Sequence, residues 1–227
     1  MKSLSIIIPF YESISVLREY LPGVLKKVKN KEQIELILAD ATASAEVESY
    51  CQKLDVSYLP CPEKGRALQM NNGAYSAKGV WLFFLHIDSI PPSGFDELIT
   101  NLKREESGCF RLKFDWNHWF LKFFSHFTRF YWLVARGGDQ GLFVKRDVFL
   151  HLNGFREIPI MEDIDMCRRL MKRKTFVILH QRITTSARKY RQYGVYRLQL
   201  IFGWITLLYW LGVEENTLKR IYDKNIR

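Results

Sequence analysis

What this sequence lacks narrows it first. Its four cysteines (Cys51, Cys61, Cys109 and Cys167) lie far apart, with no Cys-x-x-Cys pair. That argues against a structural zinc site or a disulfide framework and for reduced thiols in a cytoplasmic setting. No uncharged apolar run reaches the roughly 20 residues that span a bilayer. The nearest, Leu198 to Val213, is interrupted by Gln199, Gly203, Thr206 and Gly212. The apolar run within Met1–Pro9 is too short for a secretory signal, so none is expected. Internal repeats, low-complexity tracts and linkers rich in Pro, Gly or Ser are missing, as are a P-loop, a Rossmann glycine fingerprint and a Ser/His/Asp order.

Acid is also scarce relative to base. The 227 residues carry 34 Lys and Arg against 24 Asp and Glu, a net charge of +10. Anionic partners follow from that balance: nucleic acid, phosphate-bearing small molecules or an anionic membrane surface. With 48% hydrophobic and 26% charged residues the chain is a folded protein with enough length for a sizeable core.

Short apolar runs alternate with amphipathic stretches from Leu4 as far as Phe110. Leu4–Pro9, Ile34–Asp40, Val56–Leu59 and Val80–His86 read as buried strands; Ser13–Lys29, Ala43–Leu54 and Arg66–Ala77 have helical spacing. The pattern predicts an α/β fold with a mostly parallel central sheet, whose ligands bind beyond the carboxyl ends of the strands. Further on, Leu142–Lys145 reads as a strand and Met161–Arg173 as a helix, acidic in its first turn and basic in its last. Before them lies an aromatic stretch, Trp116 to Trp132, more than half of it Phe, Tyr or Trp. It and the apolar segment near Trp204 are expected to be core, with interfacial membrane contact the lesser expectation, supported by ten Lys/Arg against one acid between Ile164 and Arg197.

The strand ends carry the chemistry. Glu12 follows the first strand, Asp40 ends the second, and His86-Ile87-Asp88 follows the fourth. Residues two apart in extended chain share a side, so His86 and Asp88 are expected to face one cleft as a metal pair. An isolated His-x-Asp is more often a core histidine and a helix cap; three polar strand ends in one sheet reverse that balance. Lys64-Gly65-Arg66 opens a helix, a setting that suits phosphate. Glu162 and Asp163 begin another, where a carboxylate either complements the helix charge or accepts a proton from a hydroxyl. Gly138-Asp139-Gln140-Gly141 offers close backbone approach with polar side chains, or is a plain turn.

In order and spacing these pieces resemble family 2 glycosyltransferases of the GT-A fold, along nearly the whole chain. The resemblance rests on Ile6-Ile7-Ile8-Pro9-Phe10-Tyr11-Glu12, Asp40, Lys64-Gly65-Arg66, Gln69-Met70-Asn71, Leu85-His86-Ile87-Asp88, Gly138-Asp139-Gln140-Gly141, Met161-Glu162-Asp163 and Ser186-Ala187-Arg188. More narrowly the chain is similar to a short bacterial subgroup associated with arsenosugar biosynthesis. The resemblance implies one GT-A domain over 1–227, with 1–110 binding a UDP- or GDP-sugar and 111–227 the hydroxyl acceptor. It implies inverting, non-processive sugar transfer with Asp163 as general base and Glu162 beside it. Pro9, Tyr11, Glu12, Asp40, Lys64, Arg66, Gln69, Asn71 and Arg188 would serve the nucleotide sugar, and Asp139 and Gln140 the acceptor. Asp88, with His86 in place of the usual first acid, would hold a divalent metal, Mn2+ or Mg2+. Three departures stand out: His86 itself, Ala41-Thr42-Ala43-Ser44 where Gly-Gly-Ser is commoner, and Ser186–Tyr190, which only partly matches Gln-x-x-Arg-Trp. The remaining alternatives are a nucleic-acid-binding protein using the basic C-terminal half, a nucleotidyltransferase and a non-catalytic sugar-nucleotide sensor; the acids at the ligand edge weigh against nucleic acid. Peripheral contact with the inner face of an anionic membrane accompanies the cytoplasmic expectation.

Overall fold

The computed structural model describes residues 2–226. Eight strands form one sheet: β1 Leu4–Phe10, β2 Ile34–Asp40, β3 Ser57–Pro60, β4 Trp81–Phe84, β5 Ser89–Ile90, β6 Ser107–Phe114, β7 Leu142–Lys145 and β8 Phe176–Thr185. Their spatial order is β3-β2-β1-β4-β7-β6-β8-β5. β1, β2, β3 and β4 run parallel, β7 is antiparallel to β4 and to β6, and β6 pairs parallel with β8.

β1 shows why the central strands read as unbroken apolar runs. Leu4, Ile6, Ile8 and Phe10 enter the core on one face, while Ile7 enters the other. Alternation by two, with helices on both faces, leaves no side for polar residues. α1 (Ile14–Leu25) and α2 (Ala45–Lys53) cover the first face, through Val16, Leu17, Leu21, Val24, Val47 and Cys51. α3 (Arg66–Ser76) and α7 (Glu162–Met171) cover the second, through Ala67, Met70 and Ala74 and through Met166, Cys167 and Leu170. These spacings of three and four are the helical stripe that packs on a sheet. Two short helices, α4 (Phe95–Thr100) and α6 (Arg146–His151), complete the wrapping.

The strands and helices expected before Phe110 form within a few residues of their predicted ends, as do the strand at Leu142–Lys145 and the helix after Met161. β5, β6 and β8 have no counterpart among the expected strands. The second half of β6 and the end of β8 (Arg182 and Thr184) line a polar cavity, so polar residues interrupt both strands.

The aromatic stretch departs from expectation. Only α5 (Trp119–His126) is α-helical there, followed by two 3-10 turns, Phe127–Arg129 and Leu133–Ala135. Its core contribution is Leu121, which packs with Ala187 and Val195. Trp119 is 65% exposed, and Phe123, Phe130, Tyr131 and Trp132 are also exposed. The rings pack on one another instead: Phe120 tilted against Phe124, Phe123 edge-on to Phe127 and Phe130 stacked on Trp132. After a short helix, α8 (Arg188–Tyr193), α9 (Val195–Trp210) buries Val195, Leu198 and Ile205 and exposes Tyr196, Leu200, Trp204 and Leu207, with Leu211 just beyond it exposed as well. α10 (Glu215–Asn225) packs on α9. Among the described residues no helix is long and apolar enough to cross a membrane.

Candidate active site

The polar residues gather beyond the carboxyl ends of β1, β2 and β4. Asp40 closes β2 fully buried, yet its carboxylate is satisfied. It accepts from the Thr42 amide (2.8 Å), the Thr42 hydroxyl (2.7 Å) and the Tyr58 hydroxyl (3.1 Å). Burial, reinforced by this bond to Asp40, pushes the Tyr58 phenol up to about 12. Asp40 thus shapes the loop Ala41–Ser44, with the small residues that replace Gly-Gly-Ser turning at Ala43, φ 51°.

The centre of the cleft is formed where α3 and α7 begin. Met161, just before α7, adopts a left-handed conformation, φ 69°, which non-glycine residues rarely do. The chain then enters α7 with Glu162 and Asp163 both buried. Arg66, the first residue of α3, ion-pairs with Glu162 and lies 4.0 Å from Asp163. Partial burial works against the Arg66 charge, but these two carboxylates overcome it and raise its pKa. Asp163 accepts no hydrogen bond from the described residues. Burial, then the neighbouring Glu162 charge, push it up to about 6, against the pull of Arg66 and His86.

His86 faces Asp163. Its Nδ1 lies 2.9 Å from Asp139, and its Nε2, buried and without a partner, lies 3.9 Å from Asp163 Oδ2. Burial disfavours the charged ring, but the hydrogen bond with Asp139 together with the charges of Asp139 and Asp163 outweighs it, so the His86 pKa is raised. Asp139 is correspondingly lowered: burial would raise it, but His86 prevails. Gly138 closes over the pair. A Cβ there would collide with Asp163 Oδ2 and His86 Nε2, so the close approach that Gly138-Asp139 suggested is realised against these two side chains. Asp88 stands nearby, its carboxylate free of hydrogen bonds from the described residues, and is raised by burial and by the Asp139 charge. His86 and Asp88 do not share a strand face as expected. β4 ends at Phe84, and a turn closed by Ser89 N–H on the His86 carbonyl (3.1 Å) carries them.

Other predicted residues are placed differently. Gln69 is buried and donates to the carbonyls of Phe10 and Ala39, both at 2.7 Å, strapping the ends of β1 and β2 together. Asn71 is buried against Phe155, donating to its carbonyl and accepting from its amide. Gln140, expected at the acceptor, is instead buried and held by Arg136 at 2.7 Å. Pro9 is buried in β1. Their amides and ring lie inside because each satisfies backbone or fills core. Tyr11 and Lys64 are exposed, and Glu12 pairs with Arg188 at 3.2 Å. Two residues carried no sequence signal. Buried Arg136 spends its guanidinium on the carbonyls of Thr128, Phe130 and Trp132, pinning the loop before Gly138. Lys189 is reached by the charges of Asp139 and Asp88.

The donors suit a divalent cation in kind. An unpartnered buried imidazole nitrogen on His86, whose other nitrogen is oriented by a carboxylate, and the free carboxylate of Asp88 form a nitrogen–oxygen set. No group of three or more His, Cys, Asp or Glu among the described residues is arranged to hold a metal by protein ligands alone.

A family model described as Glycosyl transferase family 2 matches residues 5–161, and the chain belongs to that family. Solved structures share the fold. The crystal structure of S. aureus TarS superposes with TM-score 0.66 at 15% identity, over 86% of this chain and 38% of that one. S. aureus TarS 1–349 in complex with UDP gives 0.67 at 15%, over 88% and 65%. Mannosyltransferase PcManGT from Pyrobaculum calidifontis, in complex with GDP-Man and Mn2+, gives 0.64 at 13%, over 87% and 60%. The chain therefore spans less than two thirds of the length of each of these neighbours. No curated protein sequence matches it.

Proposed function

We propose that this family 2 member transfers a sugar from a UDP- or GDP-sugar to an acceptor hydroxyl, with inversion and without processivity. The observation that carries the reading is Asp163: a mostly buried carboxylate at the start of α7, raised to about 6, with the Arg66 guanidinium and the His86 imidazole about 4 Å away and no hydrogen bond from either. A base so poised is mostly ionised at neutral pH yet basic enough to take a hydroxyl proton. Displacement at an anomeric carbon by the acceptor oxygen needs one such base, whereas a retaining double displacement needs a second, nucleophilic carboxylate near the sugar. Glu162 is held by Arg66 and positions it rather than reacting.

The leaving diphosphate would meet exposed Lys64 and the N–H groups at the start of α3, with Arg188 and Glu12 closing the cleft beside Tyr11. Asp40 would act on the nucleotide through the loop it shapes, and Gln69 and Asn71 through the strand ends and loop they hold. Asp139 would serve the acceptor side while orienting His86. A divalent cation would be held by Asp88 and His86 Nε2, where it supplies charge neutralisation of the diphosphate. The exposed aromatic faces of α5 and α9 support peripheral contact with an anionic membrane: no acid lies between Asp115 and Asp139, nor between Asp165 and Glu214.

Titration calorimetry with UDP and then GDP, each with and without manganese, tests the donor assignment. Metal-dependent binding of one nucleotide, sharply weakened in Asp88→Ala, is the expected result. Binding of neither under any condition would remove the donor site.

A further inference from the structure

A second site for negative charge lies outside the donor cleft. A cavity of about 600 Å³ opens between the second half of β6, the end of β8 and the polar side of α5. It shares no residue with His86, Asp139, Glu162, Asp163 or the nucleotide-facing loops. Arg111, Lys113, Lys122, Arg129 and Arg182 line it, and Asp115 is the single acid on its walls. That acid is already engaged by the Ala187 amide (2.8 Å) and by Arg191 (3.1 Å).

The cations are placed together by the backbone. β6 and β8 run in register up to Phe110↔Leu179; the pairing then slips, skipping His180 and Gln181, and resumes at Arg111↔Arg182. The slip sets two arginines side by side on one face. Among the described residues, Arg111, Lys113, Lys122 and Arg182 make no ion pair and no side-chain hydrogen bond, and Arg111 Nε is buried with no partner at all. Adjacent like charges repel strongly where solvent is partly excluded. A buried guanidinium N–H without an acceptor adds a further cost. An anion with several acceptor oxygens relieves both, and paired forks of N–H donors match phosphate.

We propose that this cavity binds a phosphate-bearing ligand through Arg111 and Arg182. Its size fits a substituted phosphate rather than the bare ion alone. The inference stands whether or not the donor assignment does. Phosphate reaches such a site either from a soluble ester or from a phospholipid headgroup, and the exposed aromatics on the outer side of α5 make the two separable by experiment.

The first arm measures the melting temperature of the full chain in inorganic phosphate and in chloride at equal ionic strength. The second measures co-sedimentation with vesicles of phosphatidylglycerol and of phosphatidylcholine. Each is run on the native chain, on Arg182→Gln, on Arg111→Lys and on Lys26→Gln, an exposed cation at the end of α1. A phosphate-specific rise in melting temperature that disappears in Arg182→Gln and shrinks in Arg111→Lys supports a soluble ligand. Phosphatidylglycerol binding that weakens about tenfold in Arg182→Gln, but not in Lys26→Gln, supports a headgroup. Because Arg182→Gln removes a repulsion, its melting temperature without ligand should not fall. If neither arm distinguishes Arg182→Gln from the native chain, or if Lys26→Gln loses as much as Arg182→Gln, the site is refuted.

Discussion

The two ends of this one sheet handle charge in opposite ways. Beyond β1, β2 and β4 many of the charged groups are held by a partner: Arg66 by Glu162, His86 by Asp139, Glu12 by Arg188, and Asp40 by Thr42 and Tyr58, while Asp163 and Asp88 accept no hydrogen bond from the described residues. Along β6 and β8 the cations stand beside each other with one acid among them, and the rings around them face solvent. Acids are paired with cations around Asp163, and scarce along the wall of the cavity.

Substitutions break or sharpen that contrast. The largest effect is expected at Asp163. Asp163→Asn should lower turnover roughly 10²–10⁴-fold while leaving nucleotide affinity within a few-fold, read from initial rates and calorimetry side by side; full turnover in the variant would dismiss Asp163 as the base. Next, Phe83 is fully buried against Phe95 and Phe110, at ring-centroid distances of 5.2 and 5.9 Å. Phe83→Ala should cost about 3–5 kcal/mol in denaturant unfolding, whereas Trp204→Ser, on the exposed stripe of α9, should stay within about 0.5 kcal/mol. Equal losses would mean that the α9 face is packed core. Gly138→Ala comes third, since its new methyl group must displace Asp163 or His86; turnover should fall about tenfold or more with a nearly unchanged melting temperature. An active variant would show that the loop can retreat without consequence.

The smallest effect is a pH dependence. Hydrogen bonds from Arg173, and then from Thr175, hold Glu106 below the usual carboxylate range. A carboxyl group lowered by folding stabilises the fold above its unfolded pKa, and that contribution fades as pH falls through its folded value. Glu106→Gln should therefore narrow the stability difference between neutral and acidic pH. The change should be slight, because the pair is partly exposed. Parallel pH curves for the two proteins would assign the effect elsewhere.

How much of this is legible in the sequence depends on whether a residue's role is local. β1, β2 and β4 are readable because burial on both faces leaves an apolar run. α7 is readable because its acids and bases sit at the ends its dipole prefers. His86 stands out by its strand-end position, Asp163 by its place at a helix start and Asp139 by its glycine-flanked turn, all three also by resemblance, and the structure brings them within hydrogen-bonding or near-contact range. Gln69, Asn71 and Gln140 are expected at ligands but are spent on the protein's own groups, because an amide looks the same in sequence whether it faces a cleft or straps two carbonyls. The aromatic stretch reads as core for a related reason: spacing reports a stripe, not what covers it. Arg136 is invisible because it serves carbonyls of irregular backbone that no periodicity marks, and the pairing of Arg111 with Arg182 because it depends on a slip between strands distant along the chain.

That slip has a geometric meaning of its own. The offset between β6 and β8 changes by two residues, from Phe110↔Leu179 to Arg111↔Arg182. A change of one would have turned Ile183 outward and Arg182 into the core. Two is the smallest step that translates a strand along its neighbour without rotating it. The sheet thereby gains a sliding adjustment: which side chains stand opposite each other is reset, while inside and outside stay as they were. Insertions or deletions in this stretch of β8 should accordingly be tolerated in pairs and rejected singly.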